Sequence, residues 1–218
     1  MQKKTATSLD LLEFISEYQK KIQPLFKKKP WFSLESENLV LEKMKHFFLT
    51  EKNPFERKNL SGHFTASSLI FNPKTEKIIL THHRKLDKWL QLGGHCDGIE
   101  NLLIPAMQEA REESGLKNIR FSPLSQFKKI PLPIDFDIHV IPARQNEPEH
   151  LHLDVRFLLE TNEETLNISH ESLALKWFST KEVRQLSTEE NLLRLLDKFE
   201  FLNSLQKKST PMQLQEPS

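Results

Sequence analysis

Residues 94–116 read GHCDGIENLLIPAMQEAREESGL. Of the five glycines in the chain only Gly62 lies outside the window 93–115, which holds Gly93, Gly94, Gly98 and Gly115. Glycine lets a backbone approach a ligand or a neighbouring chain closely, so this clustering marks a tight loop. After the loop, NLLIPAMQEAREES has a helical pattern that Gly115 ends, and Pro105 is tolerable there only within the first turn. In such a helix Glu109, Glu112 and Glu113 stand three and four residues apart and share one side. Mutual repulsion costs a surface helix only about 0.2–0.5 kcal/mol per pair, so a solvated acidic face is affordable. The glycine loop at a fixed distance points elsewhere, because a hard divalent cation takes several carboxylates together with loop carbonyls and water.

The rest of the chain sets limits around that segment. A length of 218 residues suits one domain with an appendage. Lysine and arginine number 31 against 30 acids, a net charge of +1, which gives no bulk pull toward nucleic acid or anionic membrane. The single cysteine, Cys96, excludes an internal disulfide, and no CxxC or paired Cys/His spacing suggests structural zinc. No run of about 18 apolar residues occurs and the basic start lacks a signal-peptide core, so a soluble protein in a reducing cytoplasm is expected.

Read coarsely, a helical stripe runs from Ser8 through Ile22 until Pro24, and a second helix is expected from Glu37 to Leu49. Residues 50–61 read as a connector. HFTASSLIF (63–71) and KIILTHH (77–83) flank the turn NPKTE and predict a hairpin. A loop follows up to the acidic helix. Strands are then expected at 119–122, 126–131, 136–142, 151–160 and 173–179, with a helix from about 188 to 205. The last residues, KKSTPMQLQEPS, have no core-forming pattern and are expected to be disordered.

As a string, the opening segment resembles the Nudix box GX5EX7REUXEEXGU, where U is aliphatic. Every fixed position matches except Gln108, where the family usually has Arg. The likeness extends to HFTAS at 63, LTHHRKLDKWLQLGGH at 80, FDIHVIPA at 136, EPEHLHLDVRFL at 147 and ESLALKWFS at 171. These are similar to a bacterial Nudix branch with phrases of the type GHxTAS, GGHxD and EPxHLHxDVRF. The resemblance implies an α/β Nudix fold, a mixed sheet sandwiched between helices, over residues 61–187. Residues 1–60 are then a helical N-terminal extension, 188–206 a C-terminal helix and 207–218 a disordered tail. It also implies hydrolysis of a nucleoside diphosphate linked to another group with Mg2+ or Mn2+, the metal on Glu109, Glu112 and Glu113 and the Gly94 carbonyl as a fourth ligand. Glu112 and Glu113 are catalytic on this reading. Glu171, in the loop where some Nudix enzymes place a catalytic acid, is the candidate general base. Glu100 either orients the site or serves as a helix N-terminal charge.

Beyond the box, period-two alternation puts His150, His152 and Asp154 on one strand face, and Asp135, Asp137 and His139 on another. These can form a second metal site, grip the substrate or line a solvated sheet face. His82, His83 and His95 lie nearby in the chain, and Arg84, Lys85 and Lys88 in the HHRKLDKW loop either contact phosphates or are ordinary loop charges. The substrate-binding set is therefore Arg84, Lys88, His95, His139, His150 and His152, with Cys96 a packed residue. The expected partner is a small nucleotide-type substrate, without membrane or stable nucleic acid, and a homodimer is left open. Two other readings remain: a nucleotide-binding sensor without efficient turnover, motivated by Gln108, and a Nudix-fold prenyl diphosphate isomerase.

Overall fold

A computed structural model of the chain describes residues 9–143, 148–170 and 172–209. Strand β1 (Gly62–Asn72) is buried along its whole length, which explains why HFTASSLIF does not alternate apolar with polar. It pairs in parallel with β9 (His150–Glu160) from Gly62 to Phe71. On its other side it meets β2 (Lys77–His83) and β4 (Leu92–His95), both antiparallel. Beyond β2 lie β3 (Lys88–Leu90) and β10 (Ser172–Phe178). Beyond β9 lie β5 (Arg120–Phe121) and β8 (Asp135–Ile141). Among the described residues these eight strands form one mixed sheet.

The expected hairpin of β1 and β2 is present. Two expectations differ. The segment expected as a loop before the acidic helix contains β3 and β4, which are too short to show a period. The single strand expected at 126–131 is a tight hairpin, β6 (Gln126–Phe127) and β7 (Ile130–Pro131). Lys128 and Lys129 turn the chain there at φ of 50° and 68°, a conformation that Lys does not advertise.

Helix α1 (Leu11–Lys21) starts at a capping box of Asp10 and Glu13. Pro24 opens the short helix α2 (Gln23–Phe26) rather than only ending what precedes it. Helix α3 (Leu34–Thr50) begins three residues earlier than expected, where the Ser33 side chain accepts from the Ser36 N–H. The acidic helix is α4 (Leu103–Ser114): Pro105 is its third residue, and Gly115 closes it at φ of 69°, its N–H donating to the Arg111 carbonyl. Helix α5 (Thr180–Leu186) precedes α6 (Glu190–Ser209), which continues three residues into the segment expected to be a disordered tail. The remaining tail residues, 210–218, lie outside the described ones.

Helices pack onto the sheet, as the fold class requires. Small residues bring α4 close to β1, where the Ser68 hydroxyl donates to the Ala106 carbonyl at 3.1 Å. Aromatic contacts tie α1 to the sheet: Phe14 meets Phe157 at 5.7 Å and Tyr18 meets Phe136 at 5.0 Å. The helices before residue 60 thus share one apolar core with the sheet.

Candidate functional site

The loop and helix of residues 93–115 come together as their spacing suggests. The Gly93 N–H donates to Glu113 Oε2 at 3.0 Å, and Glu113 is buried. A Cβ on Gly94 would stand 2.5 Å from Cδ and 2.6 Å from Oε1 of Glu109, so only glycine lets the β4 backbone lie against that carboxylate. Glu112 is exposed, and its Oε1 accepts from Gln108 Nε2 at 2.9 Å. Gln108 therefore holds a box carboxylate by a neutral hydrogen bond. Glu100 is an exposed loop residue ahead of α4. Two carboxylates, Glu109 and Glu113, thus lie against the β4 backbone at Gly93 and Gly94, with Glu112 exposed on the same helix, and oxygen donors of this kind suit a hard dication.

A second polar region is built by strand register. His63, Thr65 and Ser67 of β1 oppose His152, Asp154 and Arg156 of β9, which oppose His139, Asp137 and Asp135 of β8. Paired residues share a sheet face, so all nine line one side. The carboxylates there are not available as a second metal site. Arg156, 1% exposed, donates to Asp135 at 3.1 Å, Asp137 at 3.0 Å and Asp154 at 2.9 Å. Arg194 and Lys198 of α6 also donate to Asp135, and Arg194 to Asp137. Thr65 and Ser67 hydroxyls and the Gln91 amide complete the shell of Asp154. Burial alone would raise the Asp135 carboxyl, but Lys198, Arg194 and Arg156 outweigh it and bring it down to about 2. Asp137 is also driven far below the usual carboxylate range, Arg156 being the largest of the forces that overcome its burial.

At one end of this face the imidazoles gather. His63, His95 and His152 lie with ring centroids 4.8–5.3 Å apart. His150 stacks on His63 at 5.1 Å, and His139 meets His152 at 5.5 Å. Of the expected substrate-binding histidines, His95, His139, His150 and His152 are thus neighbours. Burial, reinforced by the surrounding imidazoles, pushes His152 down to about 2. His63 is lowered too, chiefly by burial. His63 was not singled out from the sequence, because its place in the cluster depends on pairing with a strand 89 positions away.

Other candidates have different surroundings. Arg84 donates to the backbone carbonyls of His170 and Ser172, each at 3.1 Å, and so ties down the start of β10. Lys88 pairs with Glu189 at 2.8 Å. His82 contacts Asp87 at 3.0 Å and stacks on Trp89, while His83 Nδ1 accepts from the Leu86 N–H. Both lie at the end of β2, paired with β3. Cys96 is buried and its thiol pKa is pushed well up, as a packed residue's would be. Glu171 lies outside the described residues. An open hollow of about 530 Å3 lies along the connector between α3 and β1, lined by Lys52, Asn53, Glu56, Lys58, Asn59 and Leu60, and it contains none of the box carboxylates. No helix among the described residues is long and apolar enough to cross a membrane.

Against known proteins, a family model described as NUDIX domain matches residues 62–199. A curated relative from Lactococcus lactis subsp. cremoris, named a probable DHNTP pyrophosphohydrolase, is 29% identical over 105 residues. That stretch is 48% of this chain and 58% of the relative, so the chain matches a little over half of the relative's length. A solved structure, a NUDIX-family hydrolase from Clostridium perfringens, has a TM-score of 0.51 at 27% identity, covering 66% of this chain and 97% of that one. The matched residues hold the glycine loop, the acidic helix and the histidine-bearing strands, and the chain belongs to the NUDIX family.

Proposed function

We propose that the protein hydrolyses a diphosphate bond in a nucleoside diphosphate linked to another group, with Mg2+ or Mn2+ held by Glu109, Glu112 and Glu113 and the Gly94 carbonyl. The observation that carries this reading is the closeness of the β4 backbone to two box carboxylates: Gly93 donates to Glu113, and Gly94 has no room for a side chain beside Glu109. When bound, the dication neutralises phosphate charge and makes water a stronger nucleophile. The chain's own groups do the rest. The Gly93 N–H fixes the Glu113 carboxylate, and the Gln108 amide fixes one oxygen of Glu112 while the other is left for the metal. Glu171 is the proposed acceptor of the proton of the attacking water. That water oxygen bonds to phosphorus as the bridging P–O bond breaks, and the bridging oxygen leaves with the second phosphate. His95, His139, His150 and His152 are proposed to face the substrate, with Arg84 and Lys88 at the loop edge. The setting that goes with this reading is cytoplasmic, with a small-molecule partner rather than membrane or nucleic acid.

The test is a panel of dinucleoside polyphosphates, nucleotide sugars, nucleoside triphosphates and the DHNTP of the relative's name, with Mg2+ or Mn2+. Release of a nucleotide or phosphate product is expected, lost with chelator. Glu113→Gln keeps an oxygen for the Gly93 N–H but removes the charge. It should fold normally and lose more than the roughly 10–100-fold that an outer-shell partner costs. Nucleotide binding without product release from any substrate would replace the reading with a sensor, and undiminished turnover by Glu113→Gln would overturn the assignment of the site.

A further inference from the structure

The histidine cluster has a chemistry that the carboxylate site does not use. His63 of β1, His95 of β4 and His152 of β9 each present a ring nitrogen within 4.8 Å of the others. Strand pairing puts them there: His63 opposes His152 in the parallel ladder, and Thr65, two residues on from His63, opposes His95. His63 is 1% exposed, and although the Asn59 backbone is close enough to act on its ring, neither ring nitrogen makes a hydrogen bond of normal geometry. Nε2 of His152 is buried without one as well. Buried polar atoms in native proteins are nearly always satisfied, so unpartnered nitrogens on two members of a three-histidine cluster call for a ligand that accepts lone pairs.

We propose that His63, His95 and His152 bind a transition-metal dication, Zn2+ foremost, at a site distinct from the box carboxylates. Three neutral imidazoles are the donor set of a borderline-soft ion and a poor one for Mg2+, which takes oxygen. In a tetrahedral zinc site with bonds of about 2.1 Å the nitrogens stand roughly 3.4 Å apart, so small ring rotations close the observed spacing. The surroundings support this assignment. His139 Nδ1 contacts Asp137 at 3.0 Å and His150 Nδ1 contacts the Pro148 carbonyl at 2.9 Å, so the flanking rings are held by second partners. The β4 backbone separates the two metal chemistries, since Gly94 faces Glu109 while the next residue, His95, faces the other histidines. Three protein ligands leave a fourth position for water or a phosphate oxygen.

The test uses the full chain carrying no added histidines, stripped with chelator and titrated with Zn2+ in excess Mg2+. One Zn2+ per chain is expected for the wild type and for Glu112→Gln. Affinity should fall by more than about tenfold in His63→Ala and in His152→Ala, each checked for folding by circular dichroism. Wild-type affinity in a folded His63→Ala protein would overturn the proposal, as would loss of binding in Glu112→Gln alone. Should His63→Ala fail to fold, X-ray absorption at the zinc edge of the loaded wild type decides: three imidazole nitrogens are expected, and a shell of oxygen alone refutes the site. Absence of product in the substrate panel would leave these readouts untouched, so failure of the hydrolase reading is distinguishable.

Discussion

At position 94 a single hydrogen in place of a methyl group lets backbone and carboxylate share a space. In Gly94→Ala the new Cβ would meet Glu109 at 2.5 Å, and the atom met is the far end of a flexible side chain. The fold should survive while Glu109 swings aside, and a titration of rate against Mg2+ should show a several-fold higher half-maximal concentration. An unchanged Mg2+ requirement would remove Glu109 from the ligand set. Gln108 presents the opposite case. Its amide already holds Glu112 at 2.9 Å, so the position works, but without charge. A charge-assisted bond is about twice as strong as a neutral one. Gln108→Arg should therefore keep the fold and either raise activity or lower the Mg2+ needed for half-maximal rate with the same substrate. A weaker metal response or a lower melting temperature would show that Gln108 is matched to its own surroundings and that another group supplies the orienting charge.

Between elements, the polar sheet face links β1, β8 and β9 to α6 through groups whose protonation differs between folded and unfolded chain. His152 is held down to about 2 when folded, against about 6.5 when unfolded, so the unfolded state takes up a proton first and stability falls as pH drops below about 6.5. Asp135, at about 2 when folded and about 4 when unfolded, adds stability above pH 4 that is lost as pH falls toward 2. Asp137 has the same sign. Melts of the chelator-treated protein should show a gentle decline from about pH 6.5 and a steeper one below about pH 4. His152→Asn should shrink the first phase, leaving the part that His63 contributes, without changing the second, and a flat curve from pH 7 to 4 in the wild type would contradict the buried neutral imidazole. The parts of these elements that could be read in the chain are local ones. Glu109, Glu112 and Glu113 lie within one helical turn or so of each other, Pro105 and Gly115 bracket their helix, and period two exposes His150 with His152. What could not be read was non-local or unmarked. His63 joins His152 through a parallel pairing, Asp135 and Asp137 are spent on Arg156 and on two cations from α6, and a turn at Lys128 and Lys129 carries no glycine or asparagine to signal it.

For the molecule as a whole, the question is whether residues 1–60 are an attachment or part of the core. Lys198 of α6 is fully buried and donates to the Tyr18 hydroxyl at 2.9 Å, to Glu37 at 2.6 Å and to Asp135 at 2.6 Å. Two of its three partners thus come from α1 and α3. Cutting the chain before residue 61 would leave that ammonium with one carboxylate, and breaking a buried ion pair costs about 3–5 kcal/mol. Apolar losses are larger. Leu11, Phe14, Ile15 and Phe26 are each at most 1% exposed. Side chains of this kind contribute about 1.5–3 kcal/mol each, roughly 6–12 kcal/mol for the four. A domain's whole stability is only about 5–15 kcal/mol, so the helices before residue 60 carry as much as the fold has to spare. The fragment 61–218, although it contains the entire box, should therefore aggregate or melt without cooperativity. Adding Lys198→Met to it should give little relief, because the exposed faces of Phe136 and Phe157 remain. The check is expression of the fragment with circular dichroism and limited proteolysis. A soluble fragment that melts cooperatively within a few degrees of the full chain would make α1 and α3 true appendages and the core of the sheet self-sufficient.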